Sequence, residues 1–300
     1  RQMCIRDSIN TRSFGESPVN VASKVIAYAT GLESGGVLSV SKHFPGHGDT
    51  DTDSHKELPL LPFSRERLDS VELYPFKKAI RAGVSGIMVG HLEVPVFEVR
   101  NGLPSSLSRN VVYDLLTREL KFQGLVFTDA LAMKGVGESA TLCLQALKAG
   151  NDLLLVPRRI KEEVAAVHAA VKHGELSREE IDAKCRKVLT YKYALGLSKK
   201  PHIRLSGLTN RIDRPYTRDL IRRLNLASIT VLGNDSELLP LDPVVKKVAV
   251  LNVGEPNGLK PFLKELSVYT QPKVFCLTQD MTEENWKQLM DSLANYKRCL

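Results

Sequence analysis

The chain has 300 residues, 43% hydrophobic and 25% charged, a composition that fits about two globular domains and excludes a disordered, fibrous or collagen-like chain. Its 42 Lys and Arg against 34 Asp and Glu give a mild excess of +8, which reads as a solvated surface spread along most of the chain. No apolar run reaches the roughly 18 residues a membrane-spanning helix needs.

From residue 16 to about residue 196, short apolar runs alternate with longer amphipathic ones. The pattern predicts a helix over Pro18 to Glu33 and a strand over Val37 to His43. A helix opened by Ser64 is expected to run to Ala82, followed by a strand over Gly86 to Gly90. Then come a helix from Arg109 to Leu120, a strand from Leu125 to Thr128, a helix from Glu138 to Ala149 and a strand from Asp152 to Val156. Helices over Ile160 to His173 and Ser177 to Leu195 follow. The second carries a capping box, Ser177 with Glu180, and Gly196 as its stop. Strand, loop and helix in repetition imply parallel strands joined by crossover helices. Both a β/α barrel and a doubly wound sheet place ligands at the C-terminal ends of such strands, so this pattern fits either.

Residues 201–214 continue a Lys-, Pro-, Gly- and Ser-rich stretch and read as a linker. Beyond it the expected elements are a helix from Tyr216 to Ala227, a strand from Ser228 to Leu232, a turn at Gly233-Asn234-Asp235 and a strand from Lys247 to Asn252. A helix near Gly258 to Leu266, a strand from Lys273 to Leu277 and a helix from Thr282 to Leu293 complete the second α/β unit. Arg214, Arg218 and Arg222 would stack on one helix face, without the aromatic residues that single-strand nucleic-acid binding uses, so no nucleic-acid partner is expected. Five cysteines without a C-x-x-C pair suggest neither a zinc ribbon nor a redox dithiol, and Cys143 and Cys185 read as small buried hydrophobes.

Chemistry concentrates directly after the first strand. Lys42-His43-Phe44-Pro45-Gly46-His47-Gly48-Asp49-Thr50-Asp51-Thr52-Asp53-Ser54-His55 packs three His, three Asp and a Lys into fourteen residues. Spacing alone allows two mechanisms. His43, His47, Asp49, Asp53 and His55 are possible metal ligands. Alternatively, Asp53 and His55, two apart in an extended segment, share a side and form an acid/base dyad. Phe127-Thr128-Asp129-Ala130-Leu131 puts a carboxylate just past an apolar strand, where it reads equally well as a helix N-cap. Arg12 offers a guanidinium for a polar or anionic ligand, and His91 lies level with the other strand-end candidates. Walker A, dinucleotide-binding and Gly-x-Ser-x-Gly patterns do not occur.

The Lys42 to Thr50 run with Asp53-Ser54-His55 closely resembles the signature loop of glycoside hydrolase family 3 β-N-acetylglucosaminidases of the NagZ-like kind. Asn10-x-Arg12-Ser13-Phe14-Gly15 is similar to that family's upstream Arg motif. Pro104-Ser105-Ser106-Leu107-Ser108 with Gly124 to Leu131 resembles its nucleophile segment, and Asn225 to Leu232 with Leu238-Leu239-Pro240-Leu241 the start of a second domain. The resemblance implies the C-terminal part of a (β/α)8 TIM-type barrel over residues 9–200, then the start of an α/β sandwich over residues 215–300, with residues 1–8 unmatched. It implies a retaining glycosidase with Asp129 as nucleophile, His55 as general acid/base and Asp53 as its partner. Arg12, Lys42 and His43 become sugar ligands, with His91 and Met133 lining the site. The substrate class implied is a β-GlcNAc-containing oligosaccharide or muropeptide, with no metal and no cofactor. Because an imidazole replaces the usual second carboxylate, phosphate is an acceptor this reading also allows. Cytoplasm and cell envelope are both compatible with it, and oligomeric state is unspecified. The chain is expected to be cut from a longer protein and to be inactive by itself.

Overall fold

The computed structural model describes residues 13–50, 57–199, 203–231, 240, 248–254, 258–278 and 280–296. The turn expected at Gly233-Asn234-Asp235 lies outside them, as do Arg12, Asp53 and His55. The chain divides into two compact units, Arg1–His202 and Ile203–Leu300.

The first unit is a parallel sheet backed by helices. Helix α1 (Pro18–Ser34) starts on Ser17, whose side chain accepts from Asn20 N–H, with Pro18 in its first turn. Strand β1 (Val40–Phe44) begins three residues later than expected, because Val37 N–H is spent on Leu32 O in closing the end of α1. The single helix expected from Ser64 to Ala82 is two, α2 (Arg65–Ser70) and α3 (Leu73–Arg81). Pro75 has no N–H to give the preceding turn, so the chain breaks at Val71 and restarts with the proline in the first turn of α3. Strand β2 (Gly86–Val89) leads to a wide helix, Asn110–Glu119. The helix expected from Arg109 to Leu120 is present, as a π-helix, and the i→i+5 bond from Leu120 N–H to Leu115 O closes its end.

Strand β3 (Leu125–Ala130) runs two residues past its expected end and so includes Asp129. Helix α4 (Leu142–Ala149) starts four residues late, since Ser139 Oγ takes the Thr141 N–H at 3.2 Å and holds a turn instead. Strand β4 (Leu153–Leu155), helix α5 (Ile160–Lys172) and helix α6 (Arg178–Ala194) follow, and the capping box of Ser177 and Glu180 is present.

The strand order is β1-β2-β3-β4, every pair parallel. This order matches chain order with no reversal, as in a barrel, whereas a doubly wound sheet has a switch point. The four strands do not close a barrel, and β1 and β4 are the edges among the described residues. Alternation divides the sheet faces. Ile87, Val89 and Val126 are buried in the helix layer with Phe44, Leu73, Phe76 and Leu116. Phe44 meets Phe76 edge to face at 5.2 Å. On the opposite face Met88, Phe127 and Asp129 are half-buried.

At the N-terminal strand ends, α6 is fastened by ions. Asp152 Oδ2 accepts from Val126 N–H at 2.9 Å and Lys187 Nζ at 2.7 Å, while Lys184 Nζ donates to Asn151 O at 2.8 Å. Burial lowers the Lys184 pKa, opposed by the neighbouring Asp152 carboxylate. Cys143 is buried as expected, but Cys185 is exposed, because none of the residues of α6 is buried.

The second unit holds α7 (Leu208–Ile212), α8 (Pro215–Ser228), β5 (Ala249–Val253), α9 (Leu259–Leu266), β6 (Lys273–Leu277) and α10 (Glu283–Leu293), with β5 and β6 paired in parallel. The strand expected from Ser228 to Leu232 is not seen over its described part. Ser228 ends α8, and residues 229–231 are exposed without a neighbouring strand among the described residues. Arg218 and Arg222 pair with Asp213 and Asp219 on the surface. No helix among the described residues is long and apolar enough to cross a membrane.

Candidate active site

The polar residues singled out in the sequence that fall within the description gather at the C-terminal ends of β1, β2 and β3. His43, one residue before the end of β1, points its Nε2 to within 3.7 Å of Asp129 Oδ2. These two strands are not sheet neighbours; β2 lies between them. The pair therefore closes across the mouth of the curved sheet, and its side chains keep 10% and 18% of their surface exposed. Asp129 Oδ1 accepts from Ala130 N–H at 2.8 Å, which fixes one carboxylate oxygen and leaves Oδ2 towards His43. Lys42, the residue before His43 in β1, is exposed.

The stem of the loop after β1 is anchored by side-chain contacts. The Lys42–His43 and Phe44–Pro45 peptide bonds are cis. His47 is buried, its ring 5.8 Å from that of His43 and its Nδ1 2.8 Å from Thr50 Oγ1. Asp49 accepts from Arg67 Nη2 at 3.0 Å; the same nitrogen donates to Glu72 Oε1 at 2.9 Å, and the guanidinium lies over the Phe63 ring at 4.7 Å. Gly46 sits on Glu72 with φ +142°, and a Cβ there would come within 2.5 Å of Glu72 Cβ. In the sequence, Asp53 and His55 follow Thr50 by three and five residues.

His91 is buried to 1% exposure behind Asp129. Its Nδ1 lies 2.7 Å from Ser106 Oγ and its Nε2 3.0 Å from Ala130 O, so both ring nitrogens are engaged within the protein. Burial holds its pKa below the ordinary imidazole value, against the pull of the Ala130 carbonyl and the Asp129 charge. Met133 is buried in the turn after Asp129, donating its N–H to Ala130 O at 3.0 Å. Arg158, beyond β4, steadies that turn by donating Nε and Nη2 to Ala132 O at 2.9 and 2.6 Å.

Spacing did not single out Arg67, Ser106, Asn151 or Arg158 as partners of this site. Their contacts come from other strands or helices, and only the run Pro104 to Ser108 carried a signal. Among the described residues no group of three or more His, Cys, Asp and Glu is placed to hold a metal ion.

Four parallel strands in sequential order, backed by helices, are the arrangement of part of a β/α barrel, and the facing carboxylate and imidazole lie at the strand ends where such folds bind ligands. The model of the glycosyl hydrolase family 3 N-terminal domain matches residues 3–191, and the chain belongs to that family. It is 31% identical over 287 residues to beta-hexosaminidase A of Pseudoalteromonas piscicida, an alignment covering 88% of this chain and 47% of that protein. It is 35% identical over 154 residues to a beta-hexosaminidase of Neisseria meningitidis, covering 50% of this chain and 42% of that one. The structure of a family 3 beta-N-acetylglucosaminidase from Paenibacillus sp. superposes with a TM-score of 0.76 at 33% identity, covering 97% of this chain and 58% of that one. The chain thus spans about half the length of the curated relatives it matches along most of its own length.

Proposed function

We propose that the protein carrying this chain is a retaining β-N-acetylglucosaminidase. It removes terminal non-reducing β-GlcNAc from peptidoglycan fragments or chitooligosaccharides. The observation that carries the reading is Asp129 at the end of β3, one oxygen fixed by Ala130 N–H and the other facing His43. The names of the relatives, beta-hexosaminidase and beta-N-acetylglucosaminidase, support the sugar class.

In this reading Asp129 attacks the anomeric carbon, the glycosidic C–O bond breaks, and His55 gives its proton to the departing oxygen. Water then attacks the anomeric carbon from the face the leaving group vacated, opposite Asp129, His55 takes the water proton, the bond to Asp129 breaks, and GlcNAc leaves with its configuration retained. Asp53 orients His55 and stabilises its imidazolium form. Arg12, Lys42 and His43 hold sugar hydroxyls.

The test is turnover of p-nitrophenyl β-GlcNAc against the β-glucoside by the complete protein, with and without EDTA, for wild type and Asp129→Ala. GlcNAc release that ignores EDTA and disappears in the variant is expected. Activity that EDTA abolishes, or that survives in Asp129→Ala, would overturn the reading.

A further inference from the structure

The backbone just after Asp129 is gripped from three sides. Ala130 O accepts from Met133 N–H and from the His91 ring, each at 3.0 Å, which uses both its lone pairs. On the other side of the same peptide unit, Leu131 N–H donates to Leu155 O at 2.8 Å. A carbonyl oxygen only accepts, so the ring proton of His91 is on Nε2, and Nδ1 accepts the hydroxyl proton of Ser106. Ser106 is fully buried, and its own carbonyl accepts from Asn151 Nδ2 at 2.8 Å, an amide that also donates to Ala146 O at 2.8 Å. A continuous line of bonds, Asn151 to Ser106 to His91 to Ala130, thus runs from the start of β4 to the carboxylate-bearing end of β3.

An apolar side chain would fill this buried space but leave the Ser106 hydroxyl without its partner and Ala130 O with one bond fewer, so packing alone does not account for an imidazole here. The ring is the right length to span from the end of β2 to the Ala130 carbonyl, and its two nitrogens each find one partner. We infer that His91 is a positioning residue for the Asp129 carboxylate: it touches no ligand, and fixes through the Ala130 carbonyl the backbone from which that carboxylate is aimed. This rests on Asp129 being the nucleophile. A nucleophile misplaced by about 1 Å loses on the order of 100-fold in rate.

Three variants of the complete protein separate the parts of the argument. His91→Gln keeps an N–H at the reach of Nε2, His91→Asn reaches only Ser106, and His91→Leu fills the space with neither bond. The expected result is a kcat loss of roughly 100-fold in the Asn and Leu variants with KM nearly unchanged, and recovery of at least about tenfold in Gln. A raised KM at unchanged kcat places His91 against the ligand and overturns the inference; so does an equal loss in Gln and Leu. Should the variants not fold, nitrogen NMR of the histidine rings in the unmodified protein decides. A neutral ring protonated on Nε2 at pH 7 supports the inference, and the opposite tautomer or a cation sinks it. Trapping with a fluorinated GlcNAc donor distinguishes the two layers. No adduct on Asp129 in wild type removes the nucleophile reading itself, whereas trapping at the wild-type rate in all three variants removes only the role of His91.

Discussion

Nε2 of His43 and Oδ2 of Asp129 face each other at 3.7 Å across a strand that separates β1 from β3. The gap is longer than a direct hydrogen bond, and one ligand hydroxyl can reach both groups. Replacing the imidazole by His43→Ala removes one of those contacts. A bond to a charged or polarised hydroxyl is worth about 1.5–3 kcal/mol, so kcat/KM of the complete protein for a β-GlcNAc substrate is expected to fall roughly 10- to 150-fold. The loss should be smaller on a substrate deoxygenated at the hydroxyl in question. An equal loss on every deoxy analogue would remove His43 from the sugar site.

Glu98 is a buried acid with its own lock. Its carboxylate accepts from Arg100 Nε and Nη2 at 2.8 and 2.7 Å and from Ser108 Oγ at 2.6 Å. Arg100 chiefly, and then Ser108, pull its pKa from 4.5 to about 2 against burial. Since the folded pKa lies below the unfolded one, the contribution is fully present above pH 4.5 and is lost as pH falls towards 2. Glu98→Gln should cost on the order of 2 kcal/mol at pH 7 and flatten the stability curve between those values. Denaturant unfolding at pH 7, 4 and 2 measures it. A variant whose acid limb matches wild type would contradict the lock.

The sequence displayed the strands, the helices that cap well and the loop that bears His43. It displayed them because alternation, capping boxes and glycine stops act within a few residues. What it hid acts at a distance. Pro75 was visible, yet its effect shows only once α3 has to restart against the core. The late start of α4 depends on a side-chain competition at Ser139 that a helical period masks. Ser106 and Asn151 look like ordinary polar residues until β2, β3 and β4 bring them into line with His91. Cys185 sits in an apolar rhythm that its helix never buries.

Cysteine chemistry should divide by burial. The Cys143 thiol is enclosed, and desolvation, with Glu163 beside it, pushes its pKa up to about 12, so almost no thiolate exists at pH 8. Cys185 and Cys276 are exposed. Alkylation followed by peptide mass mapping is expected to label Cys185 and Cys276 within minutes and Cys143 only in denaturant. Labelling of Cys143 at the same rate in the native protein would refute its burial.

Gly46 carries the stem of the loop. At φ +142° an L side chain is strained, and any Cβ collides with the Glu72 side chain at 2.5 Å. Glu72 cannot simply withdraw, because it is buried and holds Arg67, which in turn holds Asp49. Gly46→Ala therefore has to move either the backbone of the loop or this ion network. A destabilisation of about 1–3 kcal/mol is expected from strain and from the disturbed buried carboxylate. The displacement starts seven residues before Asp53, so activity should fall further than stability alone explains. Comparing Gly46→Ala with Arg67→Lys by thermal unfolding and by kcat on leaving groups of different acidity checks both parts. A loosened acid/base loop slows poor leaving groups most, since these depend on a proton from His55. Equal slowing across the series would mean that the stem supports the fold and not the acid.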